Sequence, residues 1–164
     1  MNRTARMAGL GLVGLAIVAA GCVSYASYPP VPKNTAINNP NTPAMEEVMM
    51  AGLKWVTTKY PPDTTVALGT IPTDETARMA INLPRDVKPQ VYERVAAAVG
   101  AGARPVTPEN QTLPIYSVTS LRVRGDQANV WILRPVVDMG VRPNGEPMYQ
   151  EVKLWLQGGL SPWH

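Results

Sequence analysis

Few side chains in this 164-residue sequence are of a type and spacing that could do chemistry. The Asn144-Gly145 dipeptide is a strong hairpin signal. Centring a hairpin on it sets Asp138 opposite Glu151 and Arg134 opposite Trp155. Facing carboxylates are one way to build a general acid/base pair. On an outer sheet face the same two residues are solvated charges, eased by Lys153. His164 is the sole histidine, so a histidine-based triad or a multi-histidine metal site within one chain is excluded. Cys22 is the sole cysteine, which removes intrachain disulfides and Cys-based metal sites. Serines 24, 27, 117, 120 and 161 sit in no nucleophile-elbow context. Met45, Met49 and Met50 are soft ligands, but two of them fall on a helix's apolar stripe, where packing explains them. Trp131, Trp155 and Trp163 could line a pocket or fill a core in a chain with no Phe. No cofactor or metal is expected.

Several literal motifs dissolve in context. Gly9-Leu-Gly11-Leu-Val-Gly14 spells a dinucleotide fingerprint, yet it follows no strand and opens no βαβ unit. Arg124-Gly125-Asp126 spells an adhesion tripeptide, but Gly then Asp is what a two-residue turn requires. Asn110-Gln111-Thr112 matches a glycosylation sequon, which is uninformative here.

The N-terminus carries the most specific pattern. Arg3 and Arg6 precede fifteen uncharged residues, Met7 to Gly21, that end in Ala19-Ala20-Gly21 before Cys22. The run is short of the ~20 apolar residues a spanning helix needs and carries Gly9, Gly11 and Gly14 in its apolar stretch. Val18-Ala19-Ala20-Gly21-Cys22 resembles the lipobox of bacterial lipoprotein signal peptides, with Ala19 where Leu is commonest. That resemblance implies cleavage between Gly21 and Cys22, diacylglycerol on the Cys22 thiol and acylation of the new N-terminus. It implies a membrane partner through the lipid and a cell-envelope location. Val23 and Ser24 lack the Asp that commonly retains such proteins at the inner membrane, so in a two-membrane host the outer membrane, facing the periplasm, is expected.

Formal charge is +3 with a pI near 9.2, but losing Arg3 and Arg6 takes Lys+Arg from 15 to 13 against 12 acids. The remaining basic residues form no run, and no nucleic-acid footprint is visible. Residues 22–43 read as a lipidated Cys and a tether carrying five Pro and four Asn, at most ~65 Å long if fully polyproline-like.

The elements that must position any site lie in 44–164, a single α+β domain. Thr42 as N-cap and Pro43 at the first position open a helix that Pro61-Pro62 stops. Its apolar stripe is Met45, Val48, Met49, Gly52, Leu53, Trp55 and Val56. Strands are predicted over 64–71 and 76–83, and a second helix over 87–99 with Asp86 as cap and Gly100 as stop. Strands over 114–124 and 127–137 flank Gly125-Asp126, and a last strand covers 148–157. Trp131, Leu133 and Val137 share one parity, and Val152, Leu154 and Leu156 share another. The order α-β-β-α-β-β-β predicts two helices on one face of a curved antiparallel sheet of about five strands. That order resembles the nuclear-transport-factor-2-like cones and, more distantly, cystatin rolls, in element order only.

The function expected is a non-catalytic envelope domain for structural or partner-binding work, with an envelope protein as its partner. A binding domain for a small apolar ligand in the hollow of the cone is the alternative, and an enzyme on that scaffold a third. A filled core favours the first, an enclosed apolar pocket the second, and titratable groups in such a pocket the third.

Overall fold

The computed structural model describes residues 25–30, 38–62, 77–141, 147–158 and 162–164, with the side chains of 137–139 and 141 outside that description. Gly21, Cys22, the Asn144-Gly145 turn and the strand expected over 64–71 therefore lie outside the described residues. The fold is α+β, as expected: two helices pack against a mixed sheet.

Strand β1 (Tyr25–Tyr28) precedes helix α1 (Pro43–Lys59), strand β2 (Met79–Asn82), helix α2 (Pro89–Val99) and strand β3 (Ala103–Pro105). Strands β4 (Ile115–Arg124), β5 (Gln127–Val141) and β6 (Pro147–Gln157) complete it. The sheet order is β3-β2-β4-β5-β6, and β1 pairs with β4 beside the end of β2.

Three expectations are corrected here. First, the sheet is not wholly antiparallel: β2 runs parallel to both β3 and β4. The link from β2 to β3 is α2, and a helix between neighbouring strands is the crossover that parallel pairing requires. Second, part of the supposed tether is sheet. Residues 25–28 pair antiparallel with Leu121–Arg124, with Ala26 buried opposite Val123, and Ser120 Oγ donates to the Tyr28 carbonyl at 3.0 Å. Third, Asp86 does not cap α2. The helix starts behind Lys88, with Pro89 at its first turn, and the Lys88 N–H is taken by Asn41 Oδ1 at 2.6 Å. Asn41 Nδ2 also donates to the Asp86 carbonyl at 2.9 Å, so a residue 47 positions upstream closes the helix end.

Helix α1 begins after Thr42 as expected, although no side-chain capping bond forms. It buries Met45, Val48, Met49, Gly52, Leu53 and Val56, the predicted stripe without Trp55, which is 46% exposed. Thr57 is buried in its place because its hydroxyl donates to the Leu53 carbonyl at 2.9 Å. Gly52 sets the helix close to β5: a Cβ there would stand 2.7 Å from Val130 Cγ1 and 3.3 Å from Ile132 Cδ1. Arg94 of α2 clamps Glu46 of α1 with two bonds, 2.6 and 2.7 Å, which hold the Glu46 carboxyl below its ordinary range. Gly100 ends α2 with a positive φ, the backbone region where glycine stops a helix at no steric cost.

On the helix side the sheet presents Val123, Ala128, Val130, Ile132, Leu154 and Leu156, all buried. The parity of β6 is as expected, with Leu154 and Leu156 inward; in β5 Val130 and Ile132 point inward, and the parity shared by Trp131 and Leu133 points away. Between helices and sheet the space is filled by Met45, Met49, Leu53, Met79 and Tyr116, none more than 1% exposed.

Candidate interaction face

The tight turn at Gly125-Asp126, with Gly125 at positive φ, fixes the register of β4 on β5 from Arg124↔Gln127 to Leu121↔Val130. Residues opposite one another share a face, so the side away from the helices can be read in rows. Tyr25, Arg124, Gln127 and Gln157 form the first row, at the turn end. Ser27, Arg122, Asn129 and Trp155 form the second, and Ser120, Trp131 and Lys153 the third. Ser117, Leu133 and Glu151 follow, after an irregularity between Val118 and Ser120.

The middle rows interlock cations with indoles. Lys153 Nζ lies 4.8 Å from the Trp131 ring centroid and 4.9 Å from that of Trp155. The Arg122 guanidinium lies 5.5 Å from Trp131, on its β4 side. Each contact is a cation–π interaction, worth roughly 0.5–1 kcal/mol where water has access. Together they hold flat aromatic surface in place on a face that neither α1 nor α2 covers. Trp155 is 75% exposed, so its ring is presented to solvent rather than packed. Beside it, a depression of about 400 Å³ is lined by Gln127, Asn129, Trp155, Gln157 and His164. The Asn129 Oδ1 atom is buried there without a hydrogen-bond partner.

The C-terminal residues fold back at this margin. Gln157 and His164 exchange backbone hydrogen bonds of 3.0 and 3.1 Å. Trp163 folds onto the core from the helix side, over Gly158, and its Nε1 donates to Glu47 at 3.3 Å.

The predicted site residues are not brought together. From Val136↔Met148 to Val141↔Pro147 the chain takes five steps along β5 and one along β6. This irregularity displaces the register below it from one centred on Asn144-Gly145, so Glu151 faces Leu133 instead of Asp138. Asp138 therefore has no facing carboxylate on β6, and its side chain lies outside the description. Trp155 faces Asn129, and Arg134 faces Gln150.

Arg134 belongs to the opposite, helix-facing side. Its guanidinium donates to Gln150 Oε1 at 2.6 and 3.1 Å and lies 3.9 Å over the Tyr60 ring. Tyr60 follows the last turn of α1, and its carbonyl accepts the Tyr116 hydroxyl at 2.8 Å. Burial pushes the Tyr116 phenol up to about 12, a rise that the nearby Arg134 charge partly offsets. This cluster fastens the C-terminal end of α1 to β4, β5 and β6 and leaves its phenol protonated at neutral pH.

Arg122 and Lys153, which matter most to the open face, are absent from the expected set. The signal for Arg122 was local: the Gly125-Asp126 turn alone places it opposite Asn129. Lys153 needed the register of β6, which the irregularity conceals. Among the described residues, no group of three or more His, Cys, Asp or Glu is placed to hold a metal ion.

No protein family, curated protein or solved structure matches the chain. Its function has to be read from its own residues.

Proposed function

We propose that this chain is a lipid-anchored envelope lipoprotein whose folded part is a non-catalytic interaction domain. The observation that carries the anchor is the lone Cys22 standing directly behind Ala19-Ala20-Gly21 and an uncharged run, where a lipobox needs its acceptor. What supports interaction over ligand enclosure is the distribution of side chains. The space beneath the helices is filled by residues such as Met49, Leu53 and Ile132, while the unusual chemistry of Trp131, Lys153 and Trp155 lies on the open side. A domain built this way meets partners across a surface.

The anchor is tested by replacing Cys22 with Ala and following fatty-acid labelling and membrane partition in a bacterial host. Loss of both is expected, and undiminished labelling refutes the anchor. Fractionation of a two-membrane host tests the further expectation that Val23 and Ser24 permit transfer to the outer membrane.

A further inference from the structure

Residues 25–28 being sheet changes what a lipid on Cys22 would do. Only Val23 and Ser24 stand between Cys22 and Tyr25, so even a fully extended chain holds the thiol within a few peptide lengths of the sheet. No long spacer intervenes between the acyl chains and the fold. Since β1 runs antiparallel to β4, Tyr25 stands in the row at the turn end, beside Arg124. The anchored end of the sheet is thus the end from which the cation–indole rows begin.

We propose that the open face of the sheet, centred on Arg122, Trp131, Lys153 and Trp155, docks on the anionic phospholipid surface in which Cys22 is anchored. The proposal rests on the lipid-anchor reading of Cys22. Its first support is position. Rows two residues apart along a strand are separated by ~7 Å, so the third row lies only ~14 Å from the first. Its second support is charge. Arg124, Arg122 and Lys153 occupy the first three rows; the acids that flank these rows on β4, β5 and β6 are Asp126 at the hairpin tip and Glu151, one row further from the anchor. Its third support is the exposed indole. Tryptophan favours the headgroup level of a bilayer, where an apolar ring and a polar N–H are both accommodated, and Trp155 is 75% exposed on this face. The helices cover the opposite face, so docking would leave α1 and α2 directed away from the lipid.

Each Lys or Arg near an anionic bilayer surface is worth about fivefold in partition, and the attraction fades within a Debye length of ~8 Å. Two consequences follow for the tethered protein. Docking should deepen as anionic lipid is added, and molar salt should reverse it.

The test uses the protein as a bacterial host processes it, in vesicles whose acyl chains are brominated near the headgroup, which quenches nearby indoles. One batch is phosphatidylcholine alone and the other is enriched in phosphatidylglycerol. Tryptophan emission should be quenched more strongly in the phosphatidylglycerol batch. Trp155→Tyr should lose most of that difference, whereas Trp55→Tyr, on the helix side, should keep it. Arg122→Gln combined with Lys153→Gln should lower the ratio of docked to undocked protein about 25-fold, with an unchanged near-ultraviolet spectrum showing that the fold persists. Protein that floats with the vesicles while its indoles stay unquenched and open to acrylamide refutes the docking alone. Shielding from acrylamide without quenching by lipid assigns the face to a second copy or another macromolecule, and also overturns it. Failure to float with either batch shows that Cys22 carries no lipid, and the anchor and docking fall together.

Discussion

Replacing Gly52 with Ala tests the close approach of α1 to β5. In an open helix interior this change is favourable, by about 1 kcal/mol, because alanine loses less backbone entropy than glycine. Here the new methyl would sit 2.7 Å from Val130 Cγ1 and 3.3 Å from Ile132 Cδ1, inside van der Waals contact. Val130 is β-branched and fully buried, so it has few rotamers into which to retreat. Inserting a methyl into such a core costs roughly 1–3 kcal/mol, and after the helical gain the variant should lose about 0–2 kcal/mol. Urea melts of a soluble form beginning at Val23 measure this directly. Val130→Ala alone should destabilise by leaving a cavity, but combined with Gly52→Ala it makes room for the new methyl. The double-mutant cycle should therefore show favourable coupling of roughly 0.5–2 kcal/mol. A Gly52→Ala protein more stable by the full helical gain, with no coupling to Val130, would refute the close packing of α1 on β5.

Three further outcomes follow from the fold. A chain beginning at Thr42 loses β1, uncovers Val123 and Leu121 and forfeits the Ser120–Tyr28 bond, so it should be less stable than one beginning at Val23 by roughly 2–3 kcal/mol in the same melts. Tyr116→Phe should cost about 1 kcal/mol at neutral pH through the lost bond to the Tyr60 carbonyl. With its folded pKa raised to about 12, Tyr116 contributes stability in full below pH 10, the range of an unfolded tyrosine. That contribution is lost as pH climbs through about 12, so the wild type should lose roughly 2–3 kcal/mol over this window that Tyr116→Phe does not. Glu151→Gln should leave the urea midpoint almost unmoved, as exposed substitutions do, since its partner across the sheet is Leu133 and no like charge is relieved. A clear stabilisation that depends on Asp138 would restore the facing carboxylates.

How much of this was legible in the sequence varied with the range of the interactions. Helix α1 and its stop, the Gly100 end of α2 and the Gly125-Asp126 hairpin were all readable, because each depends on residues within a turn or two. The inward parity of Leu154 and Leu156 was readable too, as the other parity of β6 is largely polar. In β5 both parities carry apolar residues, Val130 and Ile132 on one and Trp131 and Leu133 on the other, so alternation names two faces without saying which is inside. The approach of α1 at Gly52 decides that, and it turns Trp131 outward to meet Lys153. The candidate carboxylate pair failed for a related reason: a turn centre determines register only while both strands advance together, and β5 does not.

The lipobox-like pattern around Cys22 is a property of the sequence alone, since it is linear and needs no partner elsewhere in the chain. Strand β1 is the contrary case. Its composition reads as linker, and its partner on β4 lies almost a hundred residues away, so only the assembled sheet could recruit it. Local preferences determined which stretches become helix and hairpin. Long-range packing decided the parallel pairs, the inner face of β5 and the recruitment of residues 25–28 to the sheet, because those depend on which apolar surfaces bury one another.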